Sequence, residues 1–326
     1  MDRQSRFTVT GGAGFVGSHV AERLSGLGHP TTVVDNLSTG NLRNLESFRD
    51  RLTFIQGDLT DPAVCRRAVE EADVVFHLAA LPSVPRSMAD PWASHEHNVN
   101  ATVQLLLACR DANVRRFVYS SSSSVYGDTP TLPKVESMEL EPRSPYAAAK
   151  LAGEQYALAF ARAGILEAIA LRYFNVFGPR QDPRSAYAAV IPAFLTALIE
   201  DHPATVYGDG LQTRDFTYVD NVVDANVLAA TAPADRVNGQ VVNIGAGQRT
   251  SLRELVGVIE GITGRSLPVE ELPARVGDVR DSLASLVRAQ AGLGFVPSVP
   301  LEEGLRRTWA WIQAERETAS PSRKVG

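Results

Sequence analysis

Tyr146 and Lys150 stand four residues apart in Ser144-Pro145-Tyr146-Ala147-Ala148-Ala149-Lys150. On a helix, that spacing puts both side chains on one face. A phenol titrates near ~10 and is a poor base at neutral pH. A neighbouring ammonium, or the positive ring of an oxidised nicotinamide, favours the phenolate and lowers that pKa. Such a tyrosine could take the proton of a substrate hydroxyl while hydride leaves the same carbon. Ser122, inside the run Ser120–Ser124, could hydrogen-bond the same oxygen. Surface helices often carry Tyr-x-x-x-Lys by chance, so the pair gains meaning only beside a site for the hydride acceptor.

The stretch Val9-Thr10-Gly11-Gly12-Ala13-Gly14-Phe15-Val16-Gly17-Ser18-His19 offers one. It reads as a strand end, a glycine turn and a helix start, with spacing Gly11-x-x-Gly14-x-x-Gly17. Gly11 can turn at positive φ. Gly14 lets a pyrophosphate approach the backbone, and Gly17 lets the helix press on the strand. Free N–H groups and the helix dipole then hold the anion. An ordinary strand–helix turn carries similar glycines, so context decides. The apolar run Thr31–Val34 ends in Asp35, where the second strand of a βαβ unit should end. A carboxylate there accepts both hydroxyls of an adenosine ribose and repels a 2′-phosphate, which favours NAD over NADP. The competing role for Asp35 is the N-cap of the next helix.

The elements that would position these residues alternate along the chain. Arg6–Thr10, Thr31–Val34, Leu52–Gln56, Val74–Leu78, Phe117–Ser120 and Ile165–Leu171 read as strands. Phe15–Leu27, a segment opened by Asp61-Pro62, Trp92–Cys109 and Pro145–Arg162 read as helices. This pattern predicts an α/β fold: a doubly wound parallel sheet, with ligands beyond the carboxyl ends of its strands. Asp35, Asp58, Ala79-Ala80, the serine run and Tyr173 all follow strand ends. After Asn175 the elements become short and mixed. They predict a smaller substrate lobe, 176–214 and 246–326, interleaved with a dinucleotide-binding domain of 1–175 to which 215–245 returns. Ala188–Glu200, Leu252–Ile262 and Leu301–Trp311 read as helices of that part, and Ala204–Tyr207 as a strand. His77, inside a strand, reads as structural.

Composition narrows the class. The 326 residues are 44% hydrophobic and 21% charged, with a net charge of −5. No broad basic field invites nucleic acid. No apolar run reaches the ~18 residues of a membrane helix, and no signal-peptide core precedes the first strand. Two cysteines, Cys65 and Cys109, lack metal-ligand spacing, so no metal is expected. These features together predict a cytoplasmic protein.

In these segments the chain resembles the extended short-chain dehydrogenase/reductase family, and within it the nucleotide-sugar 4-epimerases. The matching segments are Gly11–Gly17, Asp35-Asn36, Gly57-Asp58-Leu59, His77–Ala80, Asn98-Val99-Asn100, Ser120–Gly127, Tyr146–Lys150, Leu171–Asn175, Arg214-Asp215-Phe216 and Arg275–Asp278. The resemblance implies NAD held through turnover by Gly11, Gly14, Phe15, Val16, Gly17, Asp35, Asn36, Ser38, Thr39 and Gly40. It adds Asp58, Leu59, Leu78, Ala79, Ala80, Ser120, Tyr146, Lys150 and Tyr173 to that site. It implies that Tyr146 acts as base, that Lys150 orients the nicotinamide ribose, and that Ser122 binds the sugar hydroxyl. Hydride would leave C4, the 4-keto sugar would swing about its pyrophosphate, and hydride would return to the other face. Arg214 and Arg275 match positions that neutralise the diphosphate. Ser83, Arg86, Ser123, Ser124, Asn175, Ala189, Val190, Tyr207, Asp278 and Ser282 complete the implied substrate site.

Rival chemistries need other residues. Dehydratases of the family place Asp-Glu before Val-Tyr-Gly, where this chain has Ser123-Ser124. Members acting on UDP-glucuronate carry Thr and Arg where this chain has Asn175 and Asp182, and a carboxylate at 182 is expected to repel an acidic sugar. A non-catalytic NAD-sensing regulator would usually lose the tyrosine or lysine. The resemblance therefore points to UDP-hexoses. The small Ser282, where a tyrosine would crowd C2 of the sugar, leaves room for an N-acetyl group. Ser282 also reads as a helix N-cap. Relatives pair the helices Trp92–Cys109 and Pro145–Arg162 into a four-helix bundle. Ala101, Leu105, Ala108, Ala152, Tyr156 and Ala159 are the expected faces of such a homodimer.

Overall fold

The computed structural model describes residues 4–182, 189–273 and 279–319. Its centre is the expected doubly wound sheet. Strands β1 (Phe7–Thr10), β2 (Thr31–Asp35), β3 (Thr53–Gln56), β4 (Val74–His77), β5 (Arg116–Ser122), β6 (Glu167–Tyr173) and β7 (Gln240–Ile244) lie in the order β7-β6-β5-β4-β1-β2-β3. All six pairings are parallel. Side chains alternate strictly between its faces. Val74, Phe76, Val118, Ile169 and Leu171 enter one core, while Val75, Phe117, Tyr119, Ala168 and Ala170 enter the other. Helices α1 (Phe15–Gly26) and Val219–Thr231 cover the first face. Pro62–Val69, Ala101–Asp111 and α2 (Pro145–Arg162) cover the second.

Several boundaries differ from the sequence reading for local reasons. The helix expected over Trp92–Cys109 runs from Pro91 to Asp111 but contains a π turn at Glu96–Asn100. There the Asn98 side chain accepts from Leu81 N at 2.7 Å and donates to Leu81 O at 3.2 Å. The wide turn thus pins the loop after β4, a frequent use of π bulges. Strand β6 starts two residues late because Gly164, at φ 68°, closes α2 and Ile165 N bonds Phe160 O. Leu42–Arg51, outside the expected elements, forms two short 3₁₀ turns that meet at a kink at Phe48.

After β6 the chain is short-stranded, as expected. Val176–Phe177 pairs with Thr217–Tyr218, and Ala204–Tyr207 with Val269–Leu272. Buried Arg116 ties the sheet to this half. Its guanidinium pairs with Glu167 at 2.7 Å and donates to the carbonyls of Ala229, Ala230 and Ala232, capping the helix Val219–Thr231. A cation at a helix C-terminus is favourable.

His77 is 1% exposed and bonds Thr10 Oγ1 at 2.8 Å and Thr102 Oγ1 at 2.9 Å. Thr102 donates its own proton to Asn98 O, so His77 Nε2 donates to Thr102 and Nδ1 accepts from Thr10. Burial lowers its pKa from 6.5 to about 3, helped by Lys150. The unfolded imidazole takes a proton that the folded one refuses. Its contribution is therefore complete above about pH 6.5 and is lost as pH falls toward about 3. We expect unfolding free energy to fall by about 2 kcal/mol between about pH 6.5 and 5. His77→Gln should flatten that slope; equal slopes in urea titrations would show that His77 is not its source.

Candidate active site

At the carboxyl edge of the sheet lies a cleft of about 630 Å³. Its nucleotide half starts at Gly11, which adopts φ 66°. A Cβ there would lie 2.7 Å from the Ala79 backbone, and one at Gly17 would lie 2.1 Å from Gly11 O. Gly14 precedes the first residue of α1, its backbone facing the cleft. Phe15, Val16, Ser38, Thr39, Leu78, Ala79 and Ala80 line the cleft with it. Asp35 ends β2, accepting from Ala13 N at 3.0 Å and Leu37 N at 2.8 Å. Burial raises its pKa against those bonds. Gly40 lies outside the lining. A Cβ there would lie 2.8 Å from each Asp35 oxygen, so Gly40 backs the carboxylate.

Asn36 donates to Asp58 at 2.7 Å, and Asp58 and Leu59 line the cleft with them. Burial raises the Asp58 pKa, but bonds from Thr60 and Asn36 and the charge of His97 lower it overall. His97, 3.7 Å from Asp58, also lines this half and escaped the sequence reading. Only the π turn brings it there, and no periodicity signals such a turn.

The chemistry-bearing residues meet where β5 ends against the first turns of α2. Ser144 caps α2 by accepting from Ala147 N at 3.1 Å, and Pro145 supplies the first helical residue. Tyr146 and Lys150 then share the face turned to β5. Ser122 hydrogen-bonds the Tyr146 phenol. Ser124 donates to Ser122 Oγ from its hydroxyl at 2.9 Å and from its N–H at 3.2 Å, orienting the Ser122 proton outward. Lys150 Nζ lies 3.4 Å from Ser120 Oγ and 4.9 Å above the Tyr119 ring. Ser123 lines the cleft beside them.

Electrostatics at this point differ from the sequence expectation. Burial raises the Tyr146 phenol above its ordinary value, and the Ser122 bond only partly opposes it. Burial also lowers the Lys150 ammonium to about 7. Desolvation outweighs attraction between the pair, so Lys150 alone does not supply a low-pKa tyrosine.

The rest of the lining holds Ser83, Asn175, Ala189, Arg214 and Ser282 of the expected substrate set and Tyr173 of the expected cofactor set. Two are held in backbone conformations unusual for side chains: Asn175 at φ 28° and Ser83 at φ 99°. Asn175 Nδ2 donates to Asp215 O at 3.3 Å. Arg214 Nη1 donates to the carbonyls of Thr213 and Arg280 at 3.0 and 2.9 Å. Ser282 N donates to Thr213 O, and the next helical turn starts only at Val287, so Ser282 is no helix N-cap. Arg86, Val190 and Tyr207 stand outside the lining, and Arg275 and Asp278 lie outside the described residues. Lys134 lines the cleft too, its Nζ bonded to Thr129 O. Nothing local in the sequence marks that lysine. Asp182 is exposed and outside the lining.

The sequence model of the NAD dependent epimerase/dehydratase family matches residues 7–245. The chain belongs to that family. It is 42% identical over 307 residues to a UDP-glucose 4-epimerase of Mycolicibacterium smegmatis, covering 93% of this chain and 97% of that protein. A UDP-N-acetylglucosamine 4-epimerase from Methanobrevibacter ruminantium, solved with UDP-N-acetylmuramic acid, superposes with a TM-score of 0.91 at 40% identity, covering 96% of this chain and 99% of that one. A UDP-glucuronic acid 4-epimerase from Bacillus cereus, solved with UDP-glucuronic acid and NAD, gives 0.89 at 31% identity over 95% and 99%. Other relatives are named as a dehydratase and a decarboxylase.

NAD is the cofactor of this family, and the residues present fit it. Bare backbone at Gly14 and a helix N-terminus suit a pyrophosphate, and Asp35 suits a ribose diol. Lys150 and Ser120 sit where the nicotinamide end would lie. Tyr146→Phe removes the phenol that Ser122 contacts. It should lower turnover by at least ~10²-fold while NAD stays bound. Turnover within about tenfold of wild type, at full NAD content, would remove Tyr146 from the base role.

Proposed function

We propose that this family member interconverts the C4 epimers of UDP-hexoses, both UDP-glucose/UDP-galactose and their N-acetylated counterparts. The observation that carries the reading is the make-up of the cleft. Tyr146, Lys150 and Ser122 converge there, and among the described lining residues the only carboxylates are Asp35 and Asp58, in the nucleotide half. A sugar held at Ser122 therefore meets a proton acceptor but no acid–base carboxylate of the kind β-elimination needs. Bound NAD supplies the hydride acceptor and donor. Ser122 holds the C4 oxygen, Tyr146 takes its proton and gives it back, and Arg214 faces the diphosphate.

Breadth at C2 rests on Ser282, which lines the cleft and is 7% exposed. A tyrosine at that position would fill the volume an acetamido group needs. Ser282→Tyr should change the ratio of kcat/KM for UDP-glucose over UDP-N-acetylglucosamine by roughly 10–200-fold, the range of a steric pocket effect. A wild type inactive on the acetylated sugar, or equal losses on both, would refute the volume argument. An acidic sugar is the second reading, favoured by Lys134, a cation in the lining of the same cleft. Incubation with all three UDP-sugars, followed by NMR of the products, separates the readings. A regulator would bind and convert none.

The homodimer also belongs to this proposal, with only the α2 part of the face the sequence suggested. Ala101, Leu105 and Ala108 are buried against the sheet of their own chain and are not free to pair. Tyr156 and Ala159 of α2 are exposed, as are Met88 and Trp92 on the neighbouring short helices. These apolar side chains make the seam a second copy would cover. Light scattering at micromolar concentration should give twice the chain mass, and Trp92→Asp should shift it toward one chain. Wild type at a single chain mass would refute the dimer.

A further inference from the structure

Strands β5, β6 and β7 place Ser121, Arg172 and Asn243 in register, side by side across the sheet. All three are buried, and the row faces α2. Glu154 meets it from the helix, one turn beyond Lys150, with no exposed surface. Its carboxylate accepts from Arg172 Nε at 2.9 Å, from Arg172 Nη2 at 2.7 Å and from Ser121 Oγ at 2.7 Å. Arg172 also stacks on the Tyr126 ring, 4.8 Å from its centroid, and the Tyr126 hydroxyl donates to Asn243 Oδ1 at 2.7 Å. One layer of polar groups therefore holds two separate pieces of the site. Through Glu154 it holds the helix that carries Tyr146 and Lys150. Through Tyr126 it holds the short turn Ser123–Tyr126 that follows Ser122.

Glu154, Arg172, Tyr126 and Asn243 stand outside the cleft lining, and Ser121, which lines it, turns its hydroxyl to Glu154. A buried ion pair is also a poor source of stability, because desolvation offsets most of its attraction. A bidentate pair does fix distance and angle, which apolar packing does not. Ser120, Ser121 and Ser122 show the consequence. These consecutive residues contact Lys150, Glu154 and Tyr146 in turn, so a slip of the helix would break all three contacts together.

We infer that Glu154, Arg172 and Ser121 are positioning residues, holding α2 in register with the end of β5 so that Ser122 and Tyr146 meet the same substrate oxygen. The inference rests on the 4-epimerase reading for its turnover test. A second readout, titration of the Tyr146 phenol, stands apart from that reading. Ser122 is what holds that phenol down, so loss of register should move its titration upward.

The paired variant E154M/R172M removes both charges and keeps apolar volume. With NAD bound, it should melt within a few degrees of wild type, since apolar replacement of buried pairs is often neutral or better. Its kcat should fall by roughly 10–100-fold, the scale of a small misplacement of reacting groups. KM should stay within about threefold, because binding contacts are untouched. The phenolate difference spectrum, taken against Tyr146→Phe in the same background, should shift to higher pH. A folded variant with kcat within about twofold and an unmoved phenol would show that the pair is structural only. If the double variant does not fold, S121A decides. It should keep its melting temperature, lose several-fold in kcat and shift the phenol upward. Unchanged kcat and phenol in S121A overturn the inference. Should wild type fail to turn over any UDP-sugar, the 4-epimerase reading falls by itself, and the phenol titrations still judge the row.

Discussion

The Glu154 carboxylate, closed from water, receives Arg172 and Ser121, and so fixes where helix α2 lies across the strand ends. Without a fixed docking of that helix, Tyr146 and Lys150 would be two side chains on an amphipathic segment. With it, they face the last residues of β5 at hydrogen-bonding range. The helix also approaches closely for a steric reason. A Cβ at Gly153 would come within 2.3 Å of the Tyr119 hydroxyl. That hydroxyl donates to Lys150 O at 3.2 Å, and its ring lies under the Lys150 ammonium. Small size at 153 and charge at 154 thus act on neighbouring residues of one turn.

Burial is the electrostatic counterpart of this docking. It pushes the Tyr146 phenol up and the Lys150 ammonium down, disfavouring both charged forms. A site in that condition is poised for a charge brought by the cofactor. An oxidised nicotinamide is positive, and beside the phenol it favours the phenolate that burial opposes. On the proposed 4-epimerase reading, this coupling would tie the proton acceptor to the bound cofactor.

The second half of the cleft depends on Asp215. Fully buried, it accepts from the N–H groups of Ala246, Gly247 and Ala284 at 2.7, 3.1 and 3.0 Å. Burial raises its pKa to about 6 even so. The residue sits next to Arg214, and its anchors lie beyond β7 and just past Ser282. One carboxylate therefore joins the Arg214 loop to the segment that carries Ser282. Lys134 reinforces the join, pairing its backbone with Leu283 O and Ser285 N. The strained backbone at Asn175 is held from the same place, by the carbonyl of Asp215.

Much of this was legible before any coordinates. Apolar runs alternating with helical segments determined the parallel sheet, because strands buried on both faces read as short continuous apolar stretches. The glycine spacing determined the turn at Gly11 and the close helix at Gly17, since backbone geometry there tolerates no side chain. Tyr-x-x-x-Lys determined a shared helix face. What only the tertiary structure decided lies in contacts between distant segments. The π turn at Glu96–Asn100 carries His97 to Asp58, and it depends on a loop some fifteen residues earlier. Lys134 meets the segment after Ser282 through a single backbone bridge to Ala284, half the chain away. Ala101, Leu105 and Ala108 looked free to pair with a second copy, yet the sheet of their own chain buries them. The direction of the Tyr146 and Lys150 shifts also waited on the fold, because spacing along a helix says how close two groups are but not how much water surrounds them.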